Sequence, residues 1–268
     1  MESRDSNDDF TFTIEGKEYT ISEKNNTSKS QKQNFHVPSL TIGAIISVIC
    51  IAGVFFGVTG LTESSEPLVE KQLDETVKPK QISINTFIDN GSPILGDVNA
   101  KITIIEFGDY QCHFCNVYYH NTEHRIFQEY VMTGKVNVIF KDYTIIGNDS
   151  ITAANAAHCA SEQNRFWDFH NTLYENWDGE NNGWAGKENM LKFGSKLGLD
   201  MNEFMECNAD MKYQQKISAS NTDAKNLGIT GTPAFFIISN DENQTVHRIT
   251  GAQPYEVFVQ IFDSMLEN

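Results

Sequence analysis

The chain has 268 residues, 40% of them hydrophobic, enough for a sizeable core in one large domain or two small ones, which argues against wholesale disorder. Its 20 Lys and Arg stand against 36 Asp and Glu, a formal net charge of −16. A surface of that sign repels phosphate backbones, so nucleic acid is a poor partner, and the acidity reads most simply as a solvated face.

In chain order, residues 1–36 form a polar tail. Within it Phe10, Phe12 and Ile14 alternate, Glu15, Gly16 and Lys17 could turn, and Tyr19 and Ile21 alternate again. The pattern suits a small hairpin that would be marginal alone. Residues 37–62 carry no charge, and 40–58 are long enough as a helix to cross a bilayer core needing roughly 20 residues. The polar tail before it and the length of the run argue against a cleaved signal peptide. Apolarity on all sides argues against a buried core helix. Residues 37–61 are therefore expected to form an uncleaved transmembrane anchor. Lys24, Lys29 and Lys32 precede it, whereas Glu63, Glu66, Glu70, Asp74 and Glu75 follow with only Lys71 among them. That bias places the N-terminus in the cytoplasm and everything after about residue 62 outside the cell membrane, where disulfides persist. Cys50, inside the span, reads as a small packing residue. Residues 62–84, charged and carrying Pro67 and Pro79, read as a tether.

Residues 85–268 read as globular. The strongest strand covers 101–107, β-branched and nearly continuous in apolarity, as a central buried strand should be, and Gly108 and Asp109 end it. A helix is expected from Cys112 towards Val131, then a strand over 135–140, giving a parallel crossover. Next comes a helical stretch, about 150–212. Ser150 can cap a run of alanines, Phe166, Phe169, His170, Leu173 and Trp177 recur at helical spacing, and residues 200–203 have the form of a capping box. After Gly228, 234–238 is a second buried strand and 245–249 a weaker partner. Gln253 and Pro254 open a last helix with Val257, Phe258, Ile261, Phe262 and Met265 on one face. The fold class is α/β, with an all-helical middle.

Five cysteines are present: Cys50, Cys112, Cys115, Cys159 and Cys207. The spacing of Cys112 and Cys115 suits redox work or half of a metal site. Zinc would need further ligands at suitable spacing, and Cys159 and Cys207 are isolated, so no metal is expected. Cys112 falls just after a buried strand and at the start of a helix, where exposed N–H groups stabilise a thiolate. It is the expected nucleophile, and Cys115, almost one turn deeper, the resolving thiol. His113 is expected to modulate the thiolate electrostatically and His158 to be structural. Glu106 stands out as an acid inside a hydrophobic strand, although such an acid could also face water at the strand end.

Residues 105–115 (IEFGDYQCHFC) and 228–236 (GITGTPAFF), with 156–163, 166–170 and 198–207, resemble the DsbA-like branch of the thioredoxin superfamily, from about Ser92 to the C-terminus. The resemblance implies a thioredoxin fold with an inserted helical domain, and a cis Thr232–Pro233 bond facing the active cysteines. There the Thr232 backbone would pair with extended substrate. It implies that Glu106 is a buried acid exchanging a proton with Cys115, and that Cys159 and Cys207 form a structural disulfide. Closing that loop would stabilise by roughly 3 to 4 kcal/mol. One departure is His113-Phe114 between the cysteines, where similar proteins more often have Pro first and His or Tyr second. That dipeptide shapes thiolate stability, so a redox potential does not carry over.

The expected activity is a thiol-disulfide oxidoreductase without cofactor that oxidises cysteine pairs of reduced secreted or surface proteins. A membrane partner of the DsbB or vitamin K epoxide reductase type would reoxidise it. Rival readings are an isomerase or reductase of the same fold, and a tethered binding or chaperone module whose cysteine pair is only structural. Asn90, Asn148 and Asn243 open N-x-Ser/Thr sequons, which suit surface loops.

Overall fold

In the computed structural model, which describes residues 10–14, 17–21, 85–241 and 245–267, the alternating residues of the tail pair as an antiparallel hairpin. Its strands are β1 (Phe10–Ile14) and β2 (Lys17–Ile21), with Phe10 opposite Ile21. The candidate anchor, the tether, Cys50 and Asn243 lie outside the described residues. Among the described residues no helix is long and apolar enough to cross a membrane.

After a short α1 (Asn85–Ile88), the β-branched run forms β3 (Ile102–Gly108), every residue of which is buried except Thr103. With β5 it is one of the two inner strands of a four-stranded sheet in the order β4-β3-β5-β6. β4 (Val136–Asp142) lies parallel to β3, while β5 (Ala234–Ser239) runs antiparallel to it and β6 (Val246–Thr250) antiparallel to β5. Burial on both faces explains why β3 and β5 read as nearly unbroken apolar runs.

The segment expected as one helix between β3 and β4 alternates in type: α2 (His113–Tyr118), a π-turn (Tyr119–Glu123), α3 (His124–Ile126) and a second π-turn (Phe127–Val131). The wider turns let the adjacent pairs Tyr118 and Tyr119, and Tyr130 and Val131, all turn inward, which a steady 3.6-residue period does not favour. This segment and α9 (Tyr255–Leu266) cover one face of the sheet through Tyr118, Ile126, Phe258 and Phe262. On the other face Phe87 of α1 packs with Phe107 and Phe236. Each such buried phenylalanine contributes roughly 1.5 to 3 kcal/mol of transfer free energy.

Between β4 and β5 come α4 (Asn148–Ser161), α5 (Phe166–Glu175), α6 (Lys187–Lys196), α7 (Met201–Ala209) and α8 (Gln214–Asn226). Helices α4 to α7 share a hydrophobic cluster in which Ala153, Ala154, Ala156, Ala157 and Ala160 are buried, their small side chains permitting close approach. Ser150 is not the cap of α4. Gly147 holds that position, and Ser150 is buried in the first turn, where its Oγ accepts from Gln111 Nε2 at 2.9 Å. Asp200 does cap α7, accepting from the N–H groups of Asn202 and Glu203, but its own N–H goes to Gln163 Oε1 at 2.7 Å, so the capping box is half complete.

Two features aim the chain at the site. Lys141 on β4 is fully buried and donates from Nζ to the carbonyls of Thr86 and Asp89 and to Asp223 Oδ2, tying α1 and α8 to the sheet. Gly228, at φ 69°, ends α8: its N–H returns to Lys225 O and that of Ile229 to Ala224 O. The chain then enters the segment that leads to Pro233.

Candidate active site

Strand β3 stops at Gly108, where a β-carbon would collide with the Phe140 ring. The following turn is tied down on three sides. Asp109 accepts at Oδ1 from the Gln111 N–H (2.9 Å) and at Oδ2 from those of Ile145 (2.8 Å) and Ile146 (3.0 Å). Gln111 takes the N–H of Asn181 at Oε1 and the indole N–H of Trp177 at its carbonyl, both at 2.9 Å. The loops before α4 and before α6 therefore fix the backbone that carries Cys112.

Cys112 is the N-cap of α2, with extended φ −66° and ψ 124°, and Cys115 lies inside the first turn. Both are free thiols, Cys112 5% exposed and Cys115 fully buried. A hydrogen bond from Cys115 lowers the Cys112 pKa to about 6 against the opposing pull of burial, helped by the Thr232 side chain and the N–H groups of Cys115 and Phe114. Burial pushes the Cys115 thiol well up, and the hydrogen bond and charge of Cys112 and the charge of Glu106 push the same way. The pair is thus split into one sulfur poised to ionise and one poised to hold its proton. The Thr232–Pro233 peptide is cis, and the Thr232 carbonyl oxygen lies 3.4 Å from the Cys112 sulfur.

Glu106 is buried in β3, opposite Phe140 and Phe235, and its Oε1 has no hydrogen-bond partner. It does not face water. Burial first, then the charges of Glu123 and Cys112, raise its carboxyl well above the ordinary range. His113 and Phe114 are exposed, and the His113 ring rests against Trp177 at 5.5 Å while its backbone N–H donates to Glu180 Oε1 at 2.9 Å. Cys159 and Cys207 are bonded to each other, S–S 2.05 Å, linking α4 to α7. His158 is buried with Nε2 2.7 Å from Asp142 Oδ2, which pins α4 to the end of β4. Asn148 opens a helix and the Asn90 amide donates to Asp223, so neither of these sequons is a free loop.

Sequence reasoning gave no site role to Asp109, Gln111 and His170, which it read as a strand end, part of the family motif and a core stripe, and passed over Glu123 and Glu180. They enter the site through tertiary contacts. Among the described residues no group of three or more His, Cys, Asp or Glu is placed to hold a metal ion.

A Cys-x-x-Cys dithiol at a helix start, facing a cis-proline beside this sheet, defines the thioredoxin-fold thiol-disulfide oxidoreductases. A thioredoxin family model matches residues 89–259. The chain belongs to that family, in its DsbA-like branch. Among curated relatives it is 28% identical over 153 residues to a Bacillus cereus protein named "Probable disulfide bond formation protein D", covering 56% of this chain and 71% of that one. Among solved structures it resembles Wolbachia pipientis alpha-DsbA1, with TM-score 0.57 and 26% identity over 64% of this chain and 89% of that one. The thiol-disulfide exchange protein alpha-DsbA2 of the same organism gives TM-score 0.55 and 28% identity over 68% of this chain and 90% of the other.

Proposed function

We propose that this oxidoreductase runs as a membrane-anchored dithiol oxidase of secreted or surface proteins. The observation that carries the reading is the split between the two sulfurs. With its pKa at about 6, Cys112 would be roughly nine-tenths thiolate at pH 7, which favours the reduced enzyme and so makes its disulfide a ready oxidant.

In the forward cycle a substrate thiolate attacks Cys112 of the enzyme disulfide. The bond to Cys115 breaks, and the departing sulfur takes a proton from the Glu106 carboxyl. A second substrate thiolate then attacks the mixed disulfide, releasing oxidised substrate and leaving Cys112 reduced. The Thr232 backbone beside cis-Pro233 supplies an edge for extended substrate, and exposed Phe114 an apolar contact next to the sulfur. Cys159 and Cys207 take no part and brace the helical insertion. His113 tunes the thiolate from the solvent side.

The uncharged stretch over residues 37–61, with lysines before it and acids after it, supports a single-pass anchor with the catalytic domain outside. Anchoring would hold the enzyme near a quinone-linked reoxidising partner of the DsbB or vitamin K epoxide reductase type. Equilibration with glutathione buffers tests the direction: a dithiol reduced as readily as glutathione disulfide, or more so, supports the oxidase. A strongly reducing potential would overturn it in favour of a reductase.

A further inference from the structure

The first turn of the active-site helix shares its backbone N–H groups between two acidic side chains. Those of Phe114 and Cys115 face the Cys112 sulfur. That of His113, one residue along from the same sulfur, donates to Glu180 Oε1 at 2.9 Å. Cys112 supplies no side-chain cap to the helix, so the Glu180 carboxylate fills that place from a distant segment, the loop between α5 and α6. The donor exists because residue 113 is histidine. A proline there, the commoner residue in similar proteins, has no N–H to give.

The loop holds Glu180 in place by more than this one bond. On one side the Trp177 indole donates to the Gln111 carbonyl, and on the other the Asn181 N–H goes to Gln111 Oε1, both at 2.9 Å. Asn181 Nδ2 also donates to the Ile146 carbonyl at 3.1 Å, and the His113 ring rests against Trp177. Gly179 at φ 110° and Asn181 at φ 54° flank Glu180 in left-handed conformations that these two residue types tolerate, so the chain bends sharply there. Residues 166–186 contain no lysine or arginine, so no strong base of α5 or of the loop neutralises the carboxylate.

We propose that Glu180 is a positioning residue that sets the oxidising strength of the enzyme, bracing the helix start as an acceptor while its charge opposes ionisation of Cys112. The inference rests on the reading of Cys112 as the sulfur that ionises. The titratable groups around that sulfur are Cys115 and His113 on α2, Glu106 from β3 and Glu180 from the loop. Burial pushes Glu106 towards its neutral form, whereas Glu180 is exposed. When two glutathione thiols reduce the Cys112–Cys115 disulfide, glutathione disulfide forms. Of their two protons one stays on Cys115 and the other is released as Cys112 ionises. A negative charge beside that thiolate disfavours it and leaves the neutral disulfide untouched, which makes the enzyme a milder oxidant.

The test compares the native full-length protein with Glu180→Gln in two measurements, the pH midpoint of Cys112 alkylation and the glutathione equilibrium at pH 7. Glutamine still accepts from the His113 N–H, so the charge alone is lost. Across the intervening amide the two charges lie about 7 Å apart, enough near a protein surface to move the midpoint down by about half a unit. The equilibrium should tilt about threefold towards the dithiol, or about 15 mV, and both shifts should shrink at about 1 M salt. An unchanged or raised midpoint in Glu180→Gln, with the native midpoint near 6, would overturn the proposal and leave the role of Cys112 intact. A midpoint lowered by Glu180→Ala and not by Glu180→Gln would trace the effect to the acceptor and overturn it too. A native midpoint near that of a free cysteine, about 8.5, would remove the reading of Cys112 and the proposal with it.

Discussion

The Cys112 sulfur lies 3.4 Å from the carbonyl oxygen of Thr232, so the reacting atom touches the backbone immediately before the cis-proline. As a thiol it can donate to that oxygen. As a thiolate it is held by the Cys115 thiol, the Thr232 side chain and two helix-start amides.

The ordering of those contacts gives the first prediction. Alkylation of Cys112 should be half-maximal near pH 6, and Cys115 should stay unreactive in the native protein. Cys115→Ser should keep a donor, whereas Cys115→Ala should raise the Cys112 pKa most and Thr232→Val less. A midpoint unchanged by Cys115→Ala would refute the assignment of Cys115 as the main stabilising group.

Glu106 makes stability depend on pH. Burial raises its pKa well above the ordinary 4.5, so the folded chain keeps a proton that the unfolded chain has released. Its favourable contribution is fully present below the unfolded pKa and is lost as pH rises through the folded one. Glu106→Gln should therefore be more stable than the native protein in urea at pH 8, and the gap should close towards pH 4. A gap constant across that range would mean that Glu106 does not retain its proton.

Much of this was legible in the sequence, for reasons that differ by element. Strands β3 and β5 announce themselves because a doubly covered strand is mostly β-branched or aromatic, and the cysteine pair falls where a helix start follows such a strand within a few residues. The π-turns were not legible, since they answer to the packing of adjacent aromatic pairs rather than to any local propensity. Ser150 has every local mark of a cap, yet Gln111 claims its hydroxyl from 39 residues away. The same is true of Glu180 on the His113 amide and of His170 against Glu123: each is a pairing between distant segments that no spacing rule encodes.

The bond between Cys159 and Cys207 spans 48 residues and links two helices of the insertion. Replacing both with alanine should cost about 4 kcal/mol in the chain-entropy treatment, read as a lower urea midpoint. The glutathione equilibrium of Cys112 and Cys115 should not move. A shifted equilibrium would give the second disulfide a redox role that this account denies it.

The most direct measurement is capture of substrate on the Cys115→Ala protein. Expressed in full-length form in cells that export disulfide-bonded proteins, it should accumulate mixed disulfides on Cys112, sensitive to dithiothreitol and absent when Cys112 is also replaced. If no such adducts form while Cys112 alone remains reactive to alkylation, the pair does not exchange disulfides with proteins, and the oxidase account is contradicted.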